Sequence, residues 1–454
     1  MMHGKRQRIA VGLIAGVVGI GVILFGGHGL NLVSAVDRST YEDLEAFTSV
    51  LAIVQKNYVE QVETHDLIEG AINGMLGALD PHSAYLTPDS YKELQVDTEG
   101  SFGGLGIEIT IRDGILTVVS PIEDTPAYRA GVQAGDRIVK INGELTKDMS
   151  LIEAVKKMRG KKGTKITISV RREDVPRLID VPIIREVIKI QSVKSKTLEK
   201  GYAYIRVTQF QDRTSTDLDN ALKKLSQEND KLEGVVLDLR NNPGGLLSQA
   251  VKVSDLFLDS GMIVYTKGRL ESQKQKYFAH PGGYTDVPLV VLVNSGSASA
   301  SEIVAGAVQD HGRAVVLGTK TFGKGSVQTI LPVDGGAALR LTTAMYFTPN
   351  GRSIQVTGIA PDIELQNLPD AQAAIRRRHG IREENLRGHF DNIGEQTQQE
   401  AHSDDSEPAD TSATPQARPD IQVGELGKDP QLDRALELLK SWRVFQTTVA
   451  EAKG

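Results

Sequence analysis

Not one of the 454 residues is a cysteine. That absence excludes disulfides, thiolate metal sites and cysteine nucleophiles together, while leaving the compartment open. Aromatic residues are scarce at 5%, and the 45 glycines favour tight turns over large aromatic cores. Positive charge is not in excess. The formal net charge is −6, so nothing in the balance points to nucleic acid as a partner. Hydrophobic residues at 40% and charged residues at 24% are ordinary globular values, which exclude a wholly disordered chain and a multi-span membrane protein. At roughly 150 residues per domain, the length corresponds to about three domains.

A long apolar run lies near the start, from Ile9 to Phe25, behind Lys5, Arg6 and Arg8. A basic flank before such a run marks a secretory signal or an N-terminal anchor. The run is at the short limit for a hydrocarbon core of about 30 Å. Val33-Ser34-Ala35 offers a small-residue cleavage site. Residues 1–35 are therefore read as a signal peptide or inner-membrane anchor. The functional part, from residue 36, is expected in the periplasm or otherwise outside the cytoplasm.

Composition and period divide the rest. Residues 36–97 form an N-terminal helical region: Leu44, Phe47, Val50, Leu51 and Val54 recur at helical spacing, and Leu67–Leu79 repeats the pattern. Asp80-Pro81 stops that helix, and Pro88 opens a short third one. Residues 98–185 change character. Gly104–Ile111 alternates like a strand, Asp113-Gly114 signals a hairpin, and Ile115–Val119 returns. A short helix at 127–130, a strand at 137–141, an amphipathic helix at 151–158 and a last strand at 165–170 complete a compact, partly open barrel. Residues 186–370 alternate short apolar strands (202–207, 234–239, 289–293, 314–317) with helices (216–226, 246–257, 301–310), which predicts an α/β layer with largely parallel strands. Residues 371–428 read as a charged, largely disordered linker. Its stretch from 391 to 411 carries Asp391, Glu395, Glu400, Asp404, Asp405, Glu407 and Asp410 without one Lys or Arg. Residues 429–454 form an amphipathic helix with Leu432, Leu436, Leu439 and Trp442 on one face. That face needs a surface, either this chain's own body or another subunit.

The chemistry concentrates in three turns. Strand 289–293 ends at Asn294, and Ser295-Gly296-Ser297-Ala298-Ser299-Ala300-Ser301-Glu302 leads into a helix. Such a turn exposes a hydroxyl at the carboxyl end of the sheet and leaves amides free to bind an oxyanion. Helix capping needs one serine, for which Ser301 with Glu302 would serve; four alternating serines exceed it. The second turn is Thr321-Phe322-Gly323-Lys324-Gly325-Ser326-Val327-Gln328. Read alone, Gly-Lys-Gly is a solvated turn lysine; in a pocket, desolvation would lower its pKa and make it a base. The spacing of a phosphate-binding loop is absent. The third turn is Leu237-Asp238-Leu239-Arg240-Asn241-Asn242-Pro243-Gly244-Gly245, whose glycines let a ligand approach the backbone. The histidines of this part, His280 and His311, sit in a loop before Pro281 and at a helix end before Gly312, so a Ser–His–Asp triad is not expected.

Together with Asp80-Pro81-His82-Ser83, these turns follow in one order and spacing, and the chain resembles the carboxyl-terminal processing peptidases, or tail-specific proteases, over about residues 40–370. The resemblance implies a multidomain α/β (α+β) fold: a ClpP/crotonase-like protease core with an inserted PDZ domain and an N-terminal helical segment. It implies a serine endopeptidase using a Ser–Lys dyad, with the lysine twenty-five residues after the serine, which selects Ser299 with Lys324. The supporting glutamine falls at Gln328, and the oxyanion donors at the amides of Gly245 and Ala300. No metal or cofactor is called for. The barrel at 98–185 resembles a PDZ domain, which places Leu105, Gly106 and Ile107 at a peptide's terminal carboxylate, the peptide adding as a strand beside Ile107. The expected partners are protein or peptide substrates with accessible C-terminal tails. An adaptor protein, a homo-oligomer and contact with the inner membrane through the N-terminal segment complete the expectation. A catalytically silent PDZ scaffold and a crotonase-like acyl-CoA enzyme are the alternatives; Ser299, Lys324 and Gln328 argue against the first, and the linked PDZ-like barrel with the Ser–Lys pair against the second.

Overall fold

The computed structural model describes residues 38–366, 382–392 and 423–451, apart from Asp113, Asp148 and Asp174. The Ile9–Phe25 run, its cleavage motif, the Asp113 turn residue and most of the acidic linker lie outside the described residues. Among those described, no helix is long and apolar enough to cross a membrane.

The described chain opens with two helices: α1 is Arg38–Asn57, and α2, Thr64–Gly77, follows. From Leu76 onward it forms a second compact unit. Here β1 (Ala84–Leu86) precedes α3 (Pro88–Glu99), which starts with Pro88 at its first turn, where a missing N–H costs nothing. The Thr87 hydroxyl accepts the Ser90 amide, and Gly100 in the left-handed region (φ +66°) closes the helix.

β2 (Ser101–Gly104) then leads into a small sheet domain. Its strands are β3 (Ile107–Arg112), β4 (Ile115–Pro121), β5 (Arg137–Ile141), β6 (Glu144–Leu145), β7 (Lys165–Arg171) and β8 (Ile179–Ile184), with helices α4 (Pro126–Arg129) and α5 (Leu151–Met158). The order is β3-β4-β5-β7-β8, with β6 on β5, so β3 is an edge strand, and α5 packs against it. Leu116, Val118, Ile138, Ile141, Ile166 and Ile168 fill the core. β9 (Glu186–Lys189) leaves the domain antiparallel to β2, pairing Gly104 with Glu186 and Ser101 with Lys189. The entering and leaving strands thus form one two-stranded neck.

The larger part is built on two sheets. The first has the order β10-β11-β12-β15-β16-β19: β10 is Val193–Glu199, β11 Tyr202–Val207, β12 Gly234–Asp238, β15 Leu289–Val293, β16 Val315–Gly318 and β19 Ile363–Glu364. All pairs after the antiparallel β10–β11 are parallel, as the continuous apolar runs predict. Helices α6 (Thr214–Glu228), α7 (Leu247–Asp255) and α8 (Ala300–Asp310) cover one face. The other is covered by α9 (Pro430–Glu451), whose Leu432, Ala435, Leu436 and Leu439 pack on Tyr202, Tyr204, Val236 and Leu292. The terminal helix therefore docks on this chain's own sheet. Trp442, expected on the same face, stands 55% exposed.

The second sheet is antiparallel, ordered β1-β18-β13-β14, with β17 also on β18; β13 is Met262–Gly268, β14 Lys276–Phe278, β17 Ser326–Pro332 and β18 Ala338–Phe347. The expectation of largely parallel strands holds only for the first sheet. The second escapes a reading by apolar runs because β18 carries Arg340, Thr342 and Thr343 at its centre and is only half-buried there.

Candidate active site

β15 ends at Val293, and the chain crosses Ser295–Ser299 before α8 begins at Ala300. Ser299 adopts φ +56° and ψ −114°, a strained conformation for a residue with a Cβ. The other central serines are occupied. Ser297 and Ser301 are fully buried; Ser297 Oγ donates to the Leu239 carbonyl at 2.8 Å and Ser301 Oγ to the Asn242 carbonyl at 2.9 Å. The Ala298 amide also donates to Asn242, at 3.0 Å. These bonds lash the serine turn to the Asn241–Gly245 turn and leave Ser299 as the half-buried hydroxyl between them. Ser301, a candidate cap in the sequence, lies inside the helix; Ser299 occupies the cap position.

Glu302, one turn into α8, is completely buried. Its Oε1 accepts the Thr321 hydroxyl at 2.6 Å and the Gly323 amide at 2.8 Å. Its Oε2 accepts the amides of Ser299 at 2.8 Å and Lys324 at 3.0 Å. Burial pushes its carboxyl up to about 7 against the pull of these four donors. One carboxylate thus joins the serine turn to the lysine turn.

The Lys324 amine is mostly buried, and burial and the nearby Arg340 charge hold it below the ordinary lysine range. Glu383, Glu302 and Asp80 pull the other way. Among the described residues no side chain makes a hydrogen bond or ion pair with this amine. Tyr346, whose pKa the Ser299 hydroxyl acts on, donates its own hydroxyl to the Lys324 carbonyl. Gln328, four residues on, follows a bulge between Val327 and Gln328. Its Nε2 donates to Ser326 Oγ at 3.0 Å and Thr342 Oγ1 at 3.4 Å rather than to Lys324. Asp80 reaches the same place: its buried carboxylate accepts the Ser83 hydroxyl and amide, the His82 amide and the Thr342 hydroxyl.

The third turn lies directly against Ser299. A methyl group on Gly244 (φ +103°) would come within 2.8 Å of Ser299 Cβ and 3.0 Å of the Ala300 nitrogen, and one on Gly245 (φ +139°) within 2.2 Å of the Phe210 carbonyl oxygen. Only glycine fits either position. Among the described residues the amides of Gly245 and Ala300 have no acceptor. Arg240, at the head of this turn, is 2% exposed and binds Asp238 on one side and Asp429 on the other, each through two hydrogen bonds. Gln431 adds a further acceptor.

In the small domain, Leu105 and Gly106 cross from β2 to β3, and among the described residues their amides also lack acceptors. Their carbonyls are used: Leu105 accepts the Ala127 amide and Gly106 accepts the Ile122 amide. Gly106 has φ +78°, and a Cβ there would fall 2.2 Å from Thr125 Cβ. Ile107 starts the edge strand. His280 bonds Asp255, and His311 bonds the Met262 carbonyl, which assigns neither to the serine turn. Sequence alone does not single out Tyr346, Asp429 or Glu383, and it marks Glu302 only as a companion of a Ser301 cap; Glu302 lies three residues beyond Ser299, as in a capping box.

Residues 201–365 match the family described as Peptidase family S41, residues 117–172 a PDZ domain, and residues 29–90 the N-terminal domain of the activating protease CtpB. The carboxy-terminal-processing protease of Bartonella bacilliformis is 49% identical over 358 residues, covering 78% of this chain and 82% of that protein. The carboxy-terminal processing protease CtpA of Bacillus subtilis is 35% identical over 360 residues, covering 79% and 76%. A solved structure titled photosystem II D1 C-terminal processing protease is 30% identical and covers 73% of this chain and 95% of that one, with a TM-score of 0.41.

Proposed function

Starting from a chain that belongs to the S41 carboxy-terminal processing proteases, and is thus a serine-type peptidase with a PDZ domain, we propose that it cuts protein tails with Ser299 as nucleophile and Lys324 as base. The observation that carries this reading is the double use of Glu302 Oε2, which accepts both the Ser299 and the Lys324 amide. The depressed pKa of Lys324 supports it, because only a neutral amine accepts a proton.

In this reading the Ser299 hydroxyl gives up its proton to the Lys324 amine and attacks the peptide carbonyl. The free amides of Gly245 and Ala300 stabilise the oxyanion, each donor contributing roughly 3–4 kcal/mol. Lys324 returns the proton to the leaving amine, and water cleaves the acyl-enzyme. Gln328 steadies the lysine strand through Ser326 and Thr342. The substrate's terminal carboxylate is read by the amides at Leu105–Ile107, with its last residues paired along β3. The basic flank and apolar run at residues 5–25 support a reading in which this work is done outside the cytoplasm, on exported proteins. A silent PDZ scaffold is not favoured.

The test is turnover of an unstructured protein by purified Ser299→Ala and Lys324→Ala. Each is expected to lose at least about a thousandfold in kcat with an unchanged melting temperature. Turnover comparable to the parent by either variant would refute the dyad.

A further inference from the structure

Beyond the region matched to the peptidase family, a short segment, 382–392, returns to the lysine turn. Glu383 on it is fully buried. Its carboxylate accepts His82 Nε2 at 2.9 Å and Gln355 Nε2 at 2.8 Å. Its amide approaches the Phe322 carbonyl at 3.4 Å. The same Gln355 accepts the Gly325 amide at 2.9 Å through its Oε1 and donates to the Phe390 carbonyl at 3.2 Å. Phe322 and Gly325 lie on either side of Lys324, so the segment meets the lysine turn directly at Phe322 and through Gln355 at Gly325. His82 is held in turn by Arg340, whose Nε donates to its carbonyl at 2.9 Å.

We propose that Glu383 is a positioning residue for Lys324: held by His82 and Gln355, its carboxylate braces the lysine turn and supplies a negative charge that steers the amine. A fully buried carboxylate is costly unless its charge is compensated. Burial works to raise its pKa, but the hydrogen bonds from His82 and Gln355, with the Lys324 charge adding to them, hold it below the usual carboxylate value. The other charged groups acting on Lys324 are Arg340 on β18, Glu302 on α8 and Asp80 before β1; Arg340 opposes Glu383, and the two acids act with it. The proposal rests on the reading of Lys324 as the base.

The sign follows from the charge. An anion beside the amine favours the ammonium form. Removing it frees the neutral base at lower pH. In Glu383→Gln, which keeps the shape, the acidic limb of the kcat–pH profile is expected to move down by about one unit, or roughly tenfold in rate at a fixed pH on that limb. Arg340→Gln is expected to move it up. A lower rate with an unmoved midpoint would leave a brace without a steering charge and overturns the proposal. If Glu383→Gln does not fold, as judged by its melting curve, Glu383→Asp is read instead, with a smaller downward shift expected. A profile superimposed on the parent's overturns the proposal while Lys324→Ala stays inactive. An active Lys324→Ala overturns the proposal and the dyad together.

Discussion

The amides of Ser299 and Lys324 end on the same atom, Oε2 of Glu302, at 2.8 and 3.0 Å. The two turns come from different strand ends, and the carboxylate sets their separation. Glu302→Gln puts an NH2 group where donors already point, and an unsatisfied buried donor costs about 1–3 kcal/mol. The expected result is a kcat lower by roughly ten- to a hundredfold, with KM little changed. Parental kcat in this variant would show that the clamp is dispensable.

As the proposed base, Lys324 would have to be neutral, and its amine is held below the ordinary lysine range by burial and Arg340. Activity is therefore expected to rise with pH through that depressed value and to level off above it. Lys324→Arg keeps the positive charge at every working pH and is expected to be inactive throughout. A rising limb that survives this substitution would point to another base.

The buried hydroxyls of Ser297 and Ser301 tie the serine turn to Leu239 and Asn242. Alanine at either position removes one buried hydrogen bond, worth about 1 kcal/mol of stability. Both variants are expected to melt at lower temperature yet keep measurable turnover, unlike Ser299→Ala. An inactive Ser297→Ala or Ser301→Ala with parental melting would reassign the nucleophile.

Amidating a substrate's C-terminus removes a charge-assisted hydrogen bond worth about 1.5–3 kcal/mol, so initial rates on paired free-acid and amidated peptides should differ tenfold or more. Equal rates would remove carboxylate reading from the PDZ domain. Enlarging Gly106 is a poor substitute for this test, because even a methyl group collides with Thr125 and would displace the loop.

Asp429 and Arg240 are both buried, and removing one partner of such a pair costs about 3–5 kcal/mol. Burial alone would raise the Asp429 carboxyl, but Arg240 outweighs it and holds the pKa below the usual value. The contribution is therefore complete above the ordinary aspartate pKa and is lost as pH falls through the depressed one. Asp429→Asn should melt earlier near neutrality, with faster amide exchange in 423–442, and the gap from the parent should close in acid. A constant gap across that range would assign the stability elsewhere.

Much of this was legible in the sequence, because the parallel strands are uninterrupted apolar runs and the three turns carry unusual glycine and serine patterns. What escaped was long-range. The half-polar β18 has no run or clean alternation. Nothing local marks Asp429 or Glu383 among many surface acids; each is singled out only by the partner it meets, Arg240 or His82. The supporting role of Gln328 comes from the resemblance alone; which atoms its amide meets follows from the pairing of β17 with β18, where, beside the bulge at Val327–Gln328, it donates to Ser326 and Thr342.

Arg240 meets a partner 189 residues downstream. At roughly 5–20 residues per second of synthesis, that separation is about 10–40 s. For that interval the new chain carries its glycine, serine and lysine turns without the arginine's distant partner, and for much of it without Glu383. A fastening supplied so far downstream leaves the buried arginine without its full set of acceptors until residue 429 has been made.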